Sequence, residues 1–264
     1  LFDGLCPNLE AFVEGLYAIV GVRAVVVGGG AGHLDLVQRP CLLSNAGVLE
    51  DSALLVALPG AIDHGVAHGW QRLSGPFLIT RSQGNVLEEL NFQSAFTVYR
   101  DEVEAHCGQR FSETDFFSIS KTFPLGIEGV DGEFVVRDPI KQSGDALVCV
   151  GELPQNATVY LLKGEAGALI ASAGESARAA CAECRGRGHA VDATVAMVFD
   201  CISRVLFLGS AFSDELAAIE SALVDCEDIF GALTLGEIAS SRAGVIELMN
   251  KSTVVALIET PPRP

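Results

Sequence analysis

The sequence has few cationic residues. It contains 17 Lys and Arg against 34 Asp and Glu, which gives a formal net charge of −17. A chain with this charge repels phosphate groups, so nucleic acids and anionic membrane surfaces are disfavoured as partners. The cations are also scattered along the sequence, so no basic cluster offsets the overall charge.

Long hydrophobic runs and targeting signals are lacking as well. The best apolar run, 16–32, is interrupted by Arg23 and ends in glycines, so it does not predict a transmembrane helix. No signal peptide is recognisable at the start, and we therefore expect a cytoplasmic protein without membrane contact. The sequence opens on Leu1 rather than on Met, which is expected of part of a longer protein.

Apolar residues, in contrast, are abundant. Hydrophobic residues make up 49% of the 264 positions and charged residues only 19%, which predicts a folded protein with a substantial core. Several of the eight cysteines lie in apolar, strand-like segments, among them Cys149 and Cys201. Cysteine in such a context behaves as a small buried hydrophobe, so we expect free thiols in a reducing compartment.

The spacing of apolar residues predicts an α/β fold. Residues 9–19 and 94–106 have helical spacing, and 164–186 is rich in alanine and also predicted to be helical. Short apolar runs at 22–27 and 54–58 predict buried strands. Further strands are predicted at 77–81, 86–90, 134–137, 146–150, 158–162 and 193–199. Hairpins mixed with strand–helix–strand passages predict mixed β-sheets with helices packed against them.

A glycine-rich segment, 28–32, follows the first predicted strand, as a phosphate-binding loop would. Its GGGAG spacing differs from that of a dinucleotide-binding loop, and no Lys-Ser or Lys-Thr pair follows it. We therefore interpret it as a tight structural turn where two stretches of backbone approach closely.

Two pairs of residues have spacings that also occur in metal-binding sites. Cys181 and Cys184 resemble half of a zinc knuckle, but a structural zinc site needs four ligands and no second CxxC pair exists. His64 and His68 are four residues apart, but Gly65 between them argues against a helix that would present both rings to one ion. The sequence predicts thiols and histidines without a metal, and no catalytic group.

Polar residues at the ends of predicted strands are the best candidates for a binding site. In a chain so poor in cations, Arg137 and Arg204 are natural partners for a ligand carboxylate. Glu237 and Asn250 are suited to an ammonium group and other polar atoms of the same ligand. We predict that these four residues face a common pocket. The alternative is a buried Arg–Glu pair that only stabilises the fold.

The order of several short motifs resembles the FIST domain. Residues 1–91 resemble the later part of its N-terminal region, and residues 92–260 resemble its C-terminal region. The motifs are Gly29-Gly30-Ala31-Gly32, His68-Gly69-Trp70, Phe123-Pro124-Leu125-Gly126, Val136-Arg137, Cys201 with Arg204, Gly236-Glu237-Ile238 and Asn250. One position departs from the family pattern: Met249 precedes Asn250, where the family typically carries His.

The resemblance implies a bacterial sensory domain rather than an enzyme. Such a domain binds a small ligand, for which amino acids or related metabolites are the proposed class, and relays the signal to a histidine kinase or another signalling protein. It adds Cys201 and Trp70 to the candidate ligand-binding residues. Because some FIST proteins bind haem, a haem-binding nitric-oxide sensor is one alternative. The other is an enzyme with Cys201 as nucleophile, although a buried structural cysteine is favoured there.

Overall fold

The structure is a computed structural model that describes residues 1–129, 132–241 and 244–259. The chain forms two compact units. The first unit comprises Leu1–Gly69 and the described residues from Ala166 onwards, and the second comprises Trp70–Glu165. Among the described residues, no helix combines the length and the apolar character needed to cross a membrane.

Runs of consecutive strands are separated by helices along the described chain. The helices are α1 Leu9–Val20, α2 Ala95–Cys107, α3 Phe116–Ser120, α4 Ala166–Gly186, α5 Ile202–Leu208 and α6 Phe212–Ala222. The strands are β1 Phe2–Asp3, β2 Val27–Ala31, β3 Leu42–Ser44, β4 Gly47–Leu49, β5 Ile62–Ala67, β6 Gln71–Gln83, β7 Val86–Leu90, β8 Gln93–Ser94, β9 Leu125–Glu128, β10 Phe134–Ser143, β11 Ala146–Val150, β12 Thr158–Lys163, β13 Thr194–Cys201, β14 Asp228–Thr234, β15 Glu237–Ser240, β16 Ile246–Met249 and β17 Thr253–Glu259. The prediction of an α/β fold with mixed sheets is confirmed.

The described part of the first unit contains two four-stranded sheets, with strand orders β1-β2-β15-β16 and β14-β13-β17-β5. Each sheet is mixed: β1 pairs with β2 and β13 with β14 in parallel, and the other neighbours are antiparallel. Helix α4 packs along β5 and β17 through its alanines and cysteines, which join Val255 and Leu257 in one apolar cluster. The alanine-rich composition thus allows the helix to lie close to the sheet.

In the part of the chain that the structure describes, the second unit is built on one seven-stranded sheet with the strand order β11-β10-β9-β12-β6-β7-β8. An additional pairing between β11 and β7 closes the sheet on itself. Helix α2 begins at the predicted position, because the Ser94 hydroxyl accepts a hydrogen bond from the Thr97 amide and caps it. The core is apolar and contains Ile79, Leu87, Tyr99, Leu125, Leu147 and Leu161.

Two strand predictions were wrong. The strand expected at 22–27 begins only at Val27 and runs through the glycines, which we had interpreted as a turn. Glycine is required there because a Cβ on Gly30 would lie 2.1 Å from the carbonyl oxygen of Leu235. The run at 54–58 forms no strand, and Leu55 and Val56 are 64% and 80% exposed. An apolar pattern does not reveal whether a neighbouring strand is available to pair with the segment.

Candidate functional site

The predicted site residues are divided between the two units. Arg137 and Trp70 belong to the second unit, and Cys201, Arg204, Glu237 and Asn250 belong to the first. The prediction that Arg137 and the other three polar residues share one pocket stays a prediction. Cys201 ends β13, Arg204 lies in the first turn of α5, Glu237 begins β15 and Asn250 lies in the turn between β16 and β17.

Arg137 and Trp70 have well-defined surroundings within the second unit. The Arg137 side chain is 7% exposed, and its Nε donates to the carbonyl oxygen of Glu152 at 2.8 Å. Trp70 is 3% exposed and lies against Gly164, where a Cβ would come within 2.2 Å of the indole ring. Close packing therefore fixes the Trp70 ring, and a backbone contact orients the guanidinium.

Arg204 is fully buried, and protein groups occupy its hydrogen-bond donors. Its Nε and Nη2 donate to the two carboxylate oxygens of Glu215 at 2.9 and 2.7 Å. Its Nη1 donates to the carbonyl oxygens of His68 and Lys251 at 2.7 and 3.2 Å, and Nη2 also donates to that of Leu169 at 2.8 Å. Because all five N–H groups of the guanidinium have acceptors, this geometry resembles the buried Arg–Glu pair that the sequence left as the alternative.

Asp200 lies next to Arg204 at the end of β13. Its Oδ1 is 3.4 Å from Arg204 Nε and accepts a hydrogen bond from Thr253 Oγ1 at 2.9 Å. Burial raises the pKa of Asp200 to about 8, even though the Arg204 cation opposes the shift. Its Oδ2 is buried and has no hydrogen-bond partner among the described residues. Burial therefore favours the protonated form of this carboxyl group.

Glu237 is the second buried carboxyl group of this region. Thr234 Oγ1 donates to its Oε1 at 2.7 Å, and the Ser252 hydroxyl donates to its Oε2 at 2.8 Å. Burial raises the pKa of Glu237 to about 7 against these hydrogen bonds. Burial also raises the pKa of the neighbouring Cys201 thiol far above its usual range, so this sulfur is not a thiolate at neutral pH and is unsuited to nucleophilic attack.

Hydrogen bonds join these groups into one cluster. Thr234 Oγ1 also donates to the carbonyl oxygen of Asp200 at 3.2 Å, and the Cys201 amide donates to that of Ser252 at the same distance. Asn250 is buried in the same turn. We call this cluster the strand-end network, and its members are Asp200, Cys201, Arg204, Glu215, Thr234, Glu237 and the turn residues 250–253.

A groove of about 440 Å³ opens elsewhere on the first unit, within the size range of small-molecule sites. Its walls are mainly apolar, with a few polar groups. They are formed by Phe2, Asp3, Cys6, Asn8, Leu9, Ala11, Phe12, Asp51, Ser52 and Ala53. Sequence reasoning missed this groove because β1, the start of α1 and the segment 51–53 meet only in the folded chain.

Two acidic residues of the groove differ in their roles. Burial opposes ionisation of Asp3, but hydrogen bonds from Gln38, Asp51 and Leu5 outweigh it and lower its pKa. The Asp3 carboxylate thereby holds the Asp51 amide at 2.9 Å and fixes the segment. The Asp51 side chain is exposed and accepts a hydrogen bond from the Cys6 thiol at 2.9 Å, so its carboxylate is accessible from the groove.

The start of α1 lines the same groove. Asn8 occupies the N-cap position, but its side chain makes no capping hydrogen bond. The N-terminal end of α1, which has no side-chain cap and carries Glu10 in its first turn, therefore lines the groove beside the Asp51 carboxylate. The groove thus offers one site for an anionic group and one for a cationic group.

The groove does not fit haem. The residues described in its walls include no histidine to bind iron, and burial and the Asp51 carboxylate raise the pKa of the Cys6 thiol.

Two family models match the chain. The FIST N domain matches residues 1–93, and the FIST C domain matches residues 95–240, which is more than half of the sequence. No curated protein and no solved structure matches it. FIST domains are generally sensory domains that bind small ligands, and the family is not a catalytic one.

Proposed function

The chain belongs to the FIST domain family, and we propose that it is a sensory domain for a free amino acid or a related amine-bearing metabolite. The observation that carries this proposal is the groove of the first unit, where an uncapped helix N-terminus and an accessible carboxylate occur together. A zwitterionic amino acid carries the two charges that complement these groups.

The groove accommodates the separate parts of such a ligand. The ligand carboxylate binds at the start of α1, where backbone N–H groups and the helix dipole favour negative charge. The ammonium group binds the Asp51 carboxylate. The ligand side chain packs against Phe2, Leu9 and Phe12, so the apolar walls select for its size and shape.

The strand-end network is suited to relay the binding event, because its member Glu237 lies in the same sheet as β1. Strand β1, which lines the groove, pairs with β2 through Phe2 and Gly30. Strand β2 in turn pairs with β15 through Gly29 and Glu237. A shift of β1 on ligand binding would therefore change the surroundings of the buried Glu237 carboxyl group, two strands away in the sheet.

In this proposal Arg204, Glu237, Cys201 and Asn250 respond to the ligand through the sheet and do not bind it directly. The chain works in the cytoplasm of a bacterial cell and signals to a histidine kinase or another signalling protein. Membership of a family of generally sensory domains supports the signalling role.

A thermal-shift screen of free amino acids tests the proposal. At least one should raise the melting temperature of the chain, because a ligand that binds only the native state stabilises it. Asp51→Asn, which keeps the acceptor for Cys6 but removes the charge, and Ala53→Trp, which fills the groove, should both abolish the shift. Asp214→Asn, at an exposed position of α6, is the matched control and should retain it.

Two results would contradict the proposal. A shift that persists in both groove variants would place the ligand elsewhere on the protein. A Soret band in the purified protein, with no response to amino acids, would favour the haem-binding alternative.

A further inference from the structure

Three side chains of metal-binding types meet where α4 ends near β5. They are Asp63, Cys184 and His189, and one ligand-type atom from each lies within 4.8 Å of those of the other two. We propose that these three residues form a binding site for a zinc ion. The site is separate from the groove and does not depend on the proposed function.

Local structure brings Cys184 and His189 together. Cys184 lies in the last turn of α4, after which the chain reverses at Gly188 with a φ of 80°. The His189 amide then donates to the carbonyl oxygen of Cys184 at 2.9 Å. This hydrogen bond is part of the helix C-terminus, so the helix end itself places the imidazole beside the thiol.

Asp63 is supplied by β5, on which α4 packs. Its carboxylate is buried, and its Oδ2 lies 2.7 Å from His189 Nδ1. Buried carboxylates require compensation of their charge, which here comes from His189 on one oxygen and from Arg187 Nη1, at 3.2 Å, on the other. The carboxylate thus lies within reach of an ion that Cys184 and His189 would also bind.

The set of donor atoms is typical of zinc. Sulfur, imidazole nitrogen and carboxylate oxygen are all common zinc ligands, and three protein ligands leave a fourth position for water. The His189 side chain is 32% exposed, whereas Asp63 and Cys184 are buried. An ion can therefore approach from the His189 side and reach the Asp63 carboxylate and the Cys184 thiol, which loses its proton when it binds the metal.

Arg187 does not block this site. Of the two carboxylate oxygens of Asp63, Arg187 contacts Oδ1. It can therefore hold the carboxylate in position while Oδ2 binds the metal. Ligand atoms around a tetrahedral zinc ion are roughly 3.3 Å apart, so His189 and Asp63 must separate by about half an ångström. A rotation of the partly exposed imidazole is sufficient for this change.

The sequence predicted no metal at Cys181 and Cys184 because no second CxxC pair exists. The proposal departs from that prediction, since only Cys184 takes part and the remaining ligands come from other types of residue. Asp63 lies more than a hundred positions earlier in the sequence, and no spacing rule connects it with the cysteine.

Cobalt(II), a spectroscopic substitute for zinc, tests the site. Metals are first removed from the full chain with a chelator, and the chain is then titrated with cobalt(II). Titration should reach one equivalent and produce the charge-transfer band of a cobalt–thiolate bond. Competition with a chromophoric chelator should show zinc binding at the same stoichiometry. Cys184→Ser should eliminate the band, and His189→Gln should weaken the affinity for zinc at least tenfold.

Cys181→Ser is the matched control, because Cys181 is also buried on α4 but lies outside the cluster. It should bind cobalt and zinc as the wild type does. The absence of a thiolate band, its persistence in Cys184→Ser, or its loss in Cys181→Ser would each overturn the proposal. If Cys184→Ser does not fold, the His189→Gln variant, which changes a partly exposed residue, still tests the site. An unchanged zinc affinity of His189→Gln would exclude it.

Discussion

The two compact units differ in what they bury. The second unit buries a mainly apolar core around residues such as Ile79, Tyr99 and Leu161, and the only charged side chains buried among its described residues are Arg137 and Asp138. The first unit buries acidic and basic side chains beside its apolar clusters, and the strand-end network alone contains Asp200, Arg204, Glu215, Glu237 and Lys251. An apolar core stabilises the fold under most conditions, whereas a buried ionic network stabilises it only while each charge keeps its partner.

This comparison assigns different roles to the units. Burial of apolar surface depends little on pH and does not require specific partners. In the network, the loss of one partner or of one proton changes the free energy of the rest. The first unit is therefore the part of the chain whose stability responds to its chemical surroundings, as expected of the part that senses a ligand.

The largest effect should follow from removal of Arg204. Arg204→Met leaves the buried carboxylate of Glu215 without its cation, and we expect a loss of about 3–5 kcal/mol in the free energy of unfolding of the first unit. Native-state hydrogen exchange measures this loss in β13 and β17. In Arg204→Met/Glu215→Leu much of the stability should return, because no unpaired charge remains. A loss below about 1 kcal/mol in the single variant would show that the network is not structural.

The next effect concerns pH. The pKa values of Asp200 and Glu237 are raised to about 8 and about 7, so the native state binds protons more tightly than the unfolded chain. Their stabilising contribution is complete below about pH 4 and is lost as the pH rises towards 8. Burial lowers the pKa of His68 to about 4, so the native state binds a proton at this residue less tightly than the unfolded chain. His68 therefore makes the protein less stable as the pH falls, but only below about pH 6.5.

Stability of the first unit should therefore fall between pH 6.5 and pH 8. Urea unfolding at these two values measures the fall, and Glu237→Gln should reduce it because the amide does not titrate. Asp214→Asn, at an exposed position, should show the same fall as the wild type. An equal fall in Glu237→Gln and the wild type would mean that Glu237 does not titrate in this range.

The smallest effect should come from the second unit. The Tyr99 hydroxyl donates to the carbonyl oxygen of Phe123 at 2.8 Å in the apolar core. Tyr99→Phe removes this hydrogen bond, and we expect a loss of about 1 kcal/mol, measured by hydrogen exchange in β12. The amino-acid response of the groove should not change. A loss of that response would contradict the division of roles between the units.

The sequence predicted elements whose pattern is local. The strand at 146–150 was predicted with the bounds that β11 has, and the helix at 164–186 differs from α4 by two residues. The close backbone approach predicted for the glycine segment is present at Gly30 and Leu235, but the predicted turn is part of β2, because strand pairing there depends on residues far away in the sequence. Short motifs in the right order were sufficient to identify the family, since that inference requires no knowledge of contacts.

The sites were harder to predict for the same reason. Arg204 is an obvious candidate in a chain with few cations, but nothing in the sequence identifies Glu215 as its partner. Nor does any pattern connect Asp3 with Asp51, or Asp63 with His189. Contacts between distant segments decide whether a charged residue binds a ligand or stabilises the core.

The most direct test of the proposed function is calorimetric titration of the chain with the amino acid that gives the largest thermal shift, its N-acetyl derivative and its amide. The N-acetyl derivative lacks the ammonium group that Asp51 should bind, and the amide lacks the carboxylate that the start of α1 should bind. We predict that each modification weakens binding at least tenfold. Equal affinity for all three compounds would contradict a groove that recognises both charges of an amino acid.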